Sequence, residues 1–292
     1  MKNDNGNSKM FFTHKKVKTV TQYLFGGLLS ISLSANALVV DDIVTGADLV
    51  GSLSGSGIVV DGASISLTGA SGQSGLFTGG IISGIGIESG IMLTTGASAD
   101  AVGPNSLPGT TTAHGTSGTA TLDGLAGVAT FDANILTFDF TTSTGDLFFD
   151  FIFASEEYLE FVFSSVNDVF AFFVDGVNLA TVPGTGDPIS VDTINSTVNS
   201  SFFNDNTGGA FDIEYDGFTD VLTASITGLG AGTHTMILEI ADGGDEVLDS
   251  AVFIAGGSFS DTNPASVPEP TSLALLGLGL AGFGFSRKKK KA

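Results

Sequence analysis

Three short stretches of this sequence gather enough carboxylates to do chemistry. The first is Ser155-Glu156-Glu157-Tyr158-Leu159-Glu160, followed by Asn167-Asp168; the second runs from Asp212 to Asp220; the third is Asp242-Gly243-Gly244-Asp245-Glu246-Val247-Leu248-Asp249. Each offers hard oxygen donors in a loop, and Ca²⁺ collects about six to eight such oxygens from carboxylates, amides, backbone carbonyls and water. The glycines of the third stretch let the backbone turn sharply enough to bring carbonyls beside the carboxylates. The candidate ligands are Glu156, Glu157, Glu160, Asn167, Asp168, Asp242, Asp245 and Asp249. None of the three stretches has EF-hand spacing. For the first, the alternative is a short helix capped by Ser155 with Glu156 and Glu157 in its first turn; for the other two it is a solvated acidic loop.

The distribution of charge favours ligation. All ten Lys and Arg lie at the two ends, and none occurs between Thr19 and Ser286, while every acid except Asp4 falls inside that stretch. No Lys or Arg salt bridge can form there. Like charges at about 4 Å repel by about 1 kcal/mol in water and by more when partly buried. Scattered acids tolerate this; adjacent Glu156, Glu157 and Glu160 call for a counter-ion. We therefore expect at least one Ca²⁺, which at ten times its dissociation constant would stabilise the fold by about 1.4 kcal/mol.

Catalytic readings are weaker. Glu157 and Asp168 could serve as the acid and base of a polysaccharide hydrolase, but their separation decides that chemistry, and the absence of Trp removes a common sugar-stacking platform. His114 and His234 have no Cys to join them in a zinc site. His234 reads as structural and His114 as exposed in a Thr-rich loop. No G-x-S-x-G elbow occurs, and without a basic patch nucleic acid is excluded as a partner. The expected class is a non-enzyme, with the hydrolase as the alternative.

The elements that must position these acids are strands. Forty-one Gly, abundant Phe and β-branched residues, and no long 3.6-residue periodicity, predict an all-β body over residues 38–262: a single antiparallel β-sandwich, jelly-roll-like, packed with Phe. Asp61-Gly62 reads as a hairpin turn between Ile58–Val60 and Ser64–Leu67, and Asp175-Gly176 as another between Val169–Val174 and Leu179–Val182. Further strands are expected at Asn134–Thr141, Leu147–Phe153, Phe211–Tyr215, Val221–Thr227, His234–Ile240 and Ser250–Phe259. Leu147, Phe149, Phe151 and Phe153 share one face by period two; Phe148 and Ile152 face the other way, which predicts a central strand covered on both sides. Residues 104–121, rich in Gly, Ser and Thr, read as a long surface loop. Cys is absent, so no disulfide staples the body.

The ends are addresses. Lys2 to Lys18, then an apolar run through Leu33, then Ala35-Asn36-Ala37 reads as an export signal over residues 1–37, cut by signal peptidase after Ala37. After a linker at residues 263–267, the chain closes with Pro268-Glu269-Pro270, an apolar stretch from Thr271 to Phe285 and the cluster Arg287 to Lys291. That stretch is short for a transmembrane helix, and its basic cluster would hold the tail on the cytoplasmic side. The order over residues 268–292 resembles the PEP-CTERM sorting signal of exported proteins in Gram-negative bacteria. The resemblance implies that an exosortase recognises Val267, Pro268, Glu269 and Pro270, that the membrane anchor is transient, and that the protein goes on to the cell surface or matrix.

The body itself carries a second resemblance. Phe131-Asp132-Ala133 leads to Ile135–Phe140; Phe151-Ile152-Phe153-Ala154-Ser155-Glu156-Glu157-Tyr158 and Asn167–Phe173 follow; Asp216-Gly217-Phe218-Thr219, Ile240–Asp245 and Asp249–Phe253 complete the series. This succession resembles the choice-of-anchor L domain, a bacterial surface domain. It implies an extracellular β-rich module and no particular reaction. The expected function is a calcium-stabilised binder of extracellular polysaccharide or surface proteins.

Overall fold

The computed structural model describes residues 37–263. In chain order the elements are β1 (Val39–Asp41), α1 (Gly46–Leu53), β2 (Ile58–Thr68), β3 (Ser74–Thr78), α2 (Gly80–Ser83), β4 (Ser89–Thr94), α3 (Ala120–Ala126), β5 (Thr130–Thr142), β6 (Leu147–Ser155), β7 (Val169–Val174), β8 (Val177–Asn178), β9 (Ile189–Ser190), β10 (Phe203–Asp205), β11 (Gly217–Thr219), β12 (Leu222–Ile226), β13 (His234–Gly243) and β14 (Ser250–Ala255). They form two antiparallel sheets. The first runs β1-β3-β4-β14-β6-β11-β10, with β12 also on β6; the second runs β2-β5-β13-β7-β8, with β9 also on β7.

Period-two alternation decides what lies between the sheets. Leu147, Phe149, Phe151 and Phe153 of β6 meet Leu136, Phe138 and Phe140 of β5, Phe170 and Phe172 of β7, and Met236, Leu238 and Ile240 of β13 in one buried core. Burial of Phe-sized side chains is the main favourable term, at about 25 cal/mol per Å² of apolar area. The opposite face of the first sheet is also covered: Ile152 and Ala154 of β6 and Phe253 of β14 form a second buried cluster with Phe77, Ile213, Tyr215 and Phe218. β6 is therefore central, as its two-sided apolar pattern requires, with Ile152 fully buried and Phe148 partly so.

Several local expectations are corrected. Asp61-Gly62 is not a hairpin turn: Ile58–Asp61 and Ser66–Thr68 both pair with β5, with an irregularity between them. The kink is held by Asp61 Oδ1, which accepts from Ala63 N at 3.0 Å, and by Ser64 Oγ, which accepts from Asp139 N at 2.7 Å. Phe211–Tyr215 is not a strand: it makes one isolated bridge, Ile213 to Val102, and its backbone bonds are split between the Ser83 and Ala101 carbonyls and a side chain. Asn206 Oδ1 accepts from Phe211 N at 2.8 Å, and Asn206 Nδ2 donates to Ile213 O and Tyr215 O at 3.0 and 2.9 Å. Nor does a helix follow Ser155; the chain passes through turns, and the Ser155 hydroxyl accepts only from Glu157 N. The Asp175-Gly176 hairpin does form, with both turn residues at positive φ (50° and 82°), but its second strand is the short β8. β14 ends at Ala255, short of the expected Phe259.

Among the described residues no helix is long and apolar enough to cross a membrane. The expected signal helix with Ala35, the sorting residues Val267–Pro270 and the apolar tail lie outside the described residues.

Candidate functional site

One end of the two-layered body is acidic on both faces of the first sheet. The inter-sheet core stops there and polar residues take over: beyond Phe153 on β6 comes Ser155, before Phe170 on β7 comes Asp168, beyond Ile240 on β13 comes Asp242, and before Val252 on β14 comes Ser250, all buried. The chain leaving β6 then divides two neighbouring acids. Glu157 turns towards the Asp168 side, whose backbone N–H it meets at 3.4 Å. Glu156 lies towards Glu214, Asp216 and Asp249, whose charges act on it.

Six of the eight expected ligands are buried here: Glu156, Glu157, Asn167, Asp168, Asp242 and Asp249. Glu160 and Asp245 are exposed at the rim. Asn167 spends its side-chain amide on structure, donating to Ala126 O and accepting from Asp192 N, each at 3.1 Å. Asp168 is held by Gly243 N at 2.9 Å and by the Ser250 hydroxyl at 2.6 Å.

A strap over residues 105–116 covers this end, tied largely through carboxylates. Asn105 Nδ2 donates to Asp216 at 2.6 Å; Ser106 N and Leu107 N each donate to Glu214 at 3.1 Å, and Thr110 Oγ1 donates to the same carboxylate at 2.9 Å. Thr112 N donates to Asp249 Oδ2 at 2.9 Å and Thr112 Oγ1 to Asp100 at 2.7 Å; His114 N and Thr116 N donate to Asp132 at 2.7 and 2.6 Å. The expected surface loop is therefore anchored, and His114 is half-buried with its ring at the Gly96 carbonyl, 3.1 Å away, instead of exposed.

Asp132, Glu214 and Asp216 are members of this end that local sequence reading did not select. Asp132 stands alone between apolar neighbours, and Glu214 and Asp216 sit in the second acidic stretch, which read equally well as solvated. Their convergence is long-range; the only local sign is the density of acids without cations.

The acids fall into two tiers. Those that carry the strap accept hydrogen bonds from it, although Asp249 does so with Oδ2 alone. Beneath it, both oxygens of Glu156, both of Asp242, Oε1 of Glu157 and Oδ1 of Asp249 are buried without a hydrogen-bond partner. Leaving one buried polar group unsatisfied costs about 1–3 kcal/mol, more for a charge. Burial, with Asp216, Glu214 and Asp249 nearby, pushes the Glu156 carboxyl up to about 9. Burial and Asp100 raise Asp249 to about 7. Glu157, Asp168 and Asp242 are all raised, first by burial; for Glu157 and Asp242 the neighbouring Asp168 charge comes next. No Lys or Arg supplies a counter-charge here, and of these groups only Asp249 has a histidine, His114, acting on it. Among the described residues as they stand, no group of three or more His, Asp or Glu is arranged to hold a metal ion, so any ion here must draw oxygens from hydroxyls, carbonyls and water as well.

Gly96, next to the strap, explains part of the packing: a Cβ there would collide with the Asp249 carboxylate. Likewise a Cβ on Gly243 would run into the Asn167 backbone.

Away from this end a groove of about 560 Å³ lies at Asp42, Val44, Leu67, Gly69, Ser74 and Asn134 and holds a single carboxylate. The acidic end has a smaller cleft of about 230 Å³ between Leu107, Pro108, Glu160, Thr207 and Asp216.

The choice-of-anchor L domain family model matches residues 38–260, which include every strand described above. The chain belongs to that family. A second match, to the PEP-CTERM protein-sorting motif, covers residues 266–288. No curated protein and no solved structure matches the chain. The choice-of-anchor L domain is thus joined to a tail that marks it for exosortase and for export to the surface of a Gram-negative cell. The described domain ends close to the start of β6, where Phe148 N donates to Ser260 O at 2.8 Å. Glu156 lies eight residues further along, about 26 Å away at about 3.3 Å per residue. The acidic end of the choice-of-anchor L domain is therefore remote from Ser260, near the last described residue.

Proposed function

We propose that this protein is a non-catalytic surface or matrix module that binds extracellular polysaccharide or other surface proteins, with calcium at its acidic end. The observation that carries the reading is the lower tier of buried carboxylates without hydrogen-bond partners, in a domain with no Lys or Arg to neutralise them. Calcium supplies the missing charge and accepts mixed oxygen donors. Its effect is to fix the acidic end of the domain. The tail helix serves as a transient inner-membrane anchor and is removed by exosortase.

The winding supports a jelly-roll reading of the fold. The chain alternates between the sheets so that β4-β14-β6-β12 lie side by side in one and β5-β13-β7-β8 in the other, two interlocked Greek keys. That architecture presents loops at the two ends of its sheets. Those at the acidic end carry the exposed Leu107, Phe161, Phe163 and Val247, side chains suited to contact with a ligand.

A hydrolase using Glu157 and Asp168 is disfavoured by access: each is 1 % exposed, so a sugar chain cannot reach them. The test is to incubate the exported protein with polysaccharide and surface fractions from the producing cells, in millimolar calcium and in chelator. Calcium-dependent retention without chain shortening is expected. Release of oligosaccharides that stops on Glu157→Gln would replace this reading with the hydrolase.

A further inference from the structure

Strand alternation separates the unpartnered carboxylates into two sets. On β6, Phe153 and Ser155 point between the sheets and Ala154 to the other face of the first sheet, where it joins Ile213, Tyr215 and Phe253. Carried past Ser155, this pattern sends Glu156 and Glu157 to opposite sides. The neighbours agree. Tyr158, packed in the inter-sheet core, feels Glu157 and Asp168; Tyr215, packed on the other face, feels Asp249 and Glu156. Asp168 and Asp242 belong to the inter-sheet side by the same alternation on β7 and β13, next to Phe170 and Ile240. Asp249 precedes Ser250 on β14 and belongs with Glu156 under the strap, where Thr112 N meets its Oδ2.

Resting on the calcium reading above, we propose that this end holds two calcium ions on opposite faces of the β6–β14 pair. The inner ion is bound between the sheets by Glu157 and Asp242, beside Asp168, whose two oxygens already accept from Gly243 N and the Ser250 hydroxyl. The outer ion is bound beneath the strap by Glu156 and Asp249. Each set contains buried oxygens without a hydrogen-bond partner aimed into it: Glu157 Oε1 and both Asp242 oxygens inside, both Glu156 oxygens and Asp249 Oδ1 outside. The Ser250 and Thr95 hydroxyls lie beside the inner set, 2.9 Å or less from Ser250 N and Asp168 Oδ2; carbonyls and water complete both shells. The outer ion acts on the strap. Asp249 is at once its ligand and the acceptor of Thr112 N, so an ion that orders this carboxylate also orders residues 105–116. The inner ion has no strap contact and acts on the junction of β6, β7 and β13.

The test uses the exported protein stripped of metal and titrated with calcium by calorimetry. Two ions per chain are expected. Glu157→Gln should leave one and Glu156→Gln should leave one. Subtilisin cleavage within residues 105–116 should slow about tenfold at calcium ten times its dissociation constant, in the wild type and in Glu157→Gln but not in Glu156→Gln. A wild-type count of one ion overturns the two-position assignment while leaving the calcium reading intact, as do variants that both bind none. No calcium binding at all removes both. If either Gln variant misfolds by circular dichroism, Asp242→Asn and Asp249→Asn replace them, and the wild-type stoichiometry remains decisive by itself.

Discussion

The backbone N–H of Glu156 donates to the carbonyl of Asp249 at 3.0 Å, yet the side chains of these two residues share a buried space in which both Glu156 oxygens and Asp249 Oδ1 lack a hydrogen-bond partner. The sheet thus fixes two carboxylates side by side without neutralising them. A fold that brings like charges together in this way depends on what else enters the space: protons at low pH, or a cation.

That competition gives the first prediction. The Glu156 carboxyl is held up at about 9 by burial and by neighbouring acids, against about 4.3 in the unfolded chain. A group raised on folding contributes stability that is complete below the unfolded value and is lost as pH climbs through the folded one. Metal-free protein should therefore lose stability between about pH 4 and 9. Calcium replaces the proton, so the rise in Tm on adding millimolar calcium should be larger at pH 8 than at pH 5. Scanning calorimetry at fixed ionic strength measures both; an equal or larger rise at pH 5 contradicts the assignment.

Gly96→Ala tests the packing of the strap against Asp249. The added methyl collides with the Asp249 carboxylate, and overpacking of this kind costs about 1–3 kcal/mol. Calcium affinity should fall with stability. Gly124→Ala is the matched control: it lies within α3 with nothing near its Cβ position and should gain about 0.5–1 kcal/mol from helix propensity. Chemical denaturation of the two variants should move in opposite directions.

His234 and Asp175 supply the one side-chain ion pair among the described residues, Nδ1 to Oδ2 at 2.7 Å. The Asp175 hydrogen bond raises the imidazole, and the same bond lowers the carboxyl. The pair's stability is fully present between the unfolded values, about 3.9 for Asp and 6.5 for His, and is lost as pH rises through the raised His value. Asp175→Asn keeps a side chain tolerant of the positive φ found there (50°). Its destabilisation should exceed that at pH 9 by at most about 1 kcal/mol when measured at pH 5.5, because Asp175 is half exposed. A difference independent of pH would show that the Thr235 N–H bond to Asp175, and not the charge, is what matters.

How far the fold could be read depended on the range of the interaction. The β6 alternation was legible because period two and two-sided burial are local properties of Leu147–Phe153. Asp61-Gly62 misled because a good turn dipeptide lost to two flanking segments that both pair with β5. Phe211–Tyr215 has strand composition, but Asn206, several residues upstream, takes Phe211 N, Ile213 O and Tyr215 O, while Asp212 N and Glu214 N go to the Ser83 and Ala101 carbonyls. The acid clusters were visible as clusters. Their division into a strap-bearing tier and an unpartnered tier was not, because Asp132 and Glu214 join the site across the fold.

The segregation of Lys and Arg to the ends makes processing readable by protease. Between Thr19 and Ser286 trypsin has no cleavage point. If signal peptidase cuts after Ala37 and exosortase removes the tail at Val267–Pro270, the surface-released protein contains no trypsin site and carries a formal charge of about −30 instead of −21. Intact-mass measurement should then show a chain beginning at Leu38 and lacking Arg287 to Lys291, with no change after trypsin treatment even of the heat-unfolded protein. Unfolding removes protection by structure, and chymotrypsin, which cuts at Phe, should digest the same sample completely. Loss of mass on trypsin treatment, with release of the Lys cluster, would show that the apolar tail is retained as a permanent anchor and that the exosortase step does not occur.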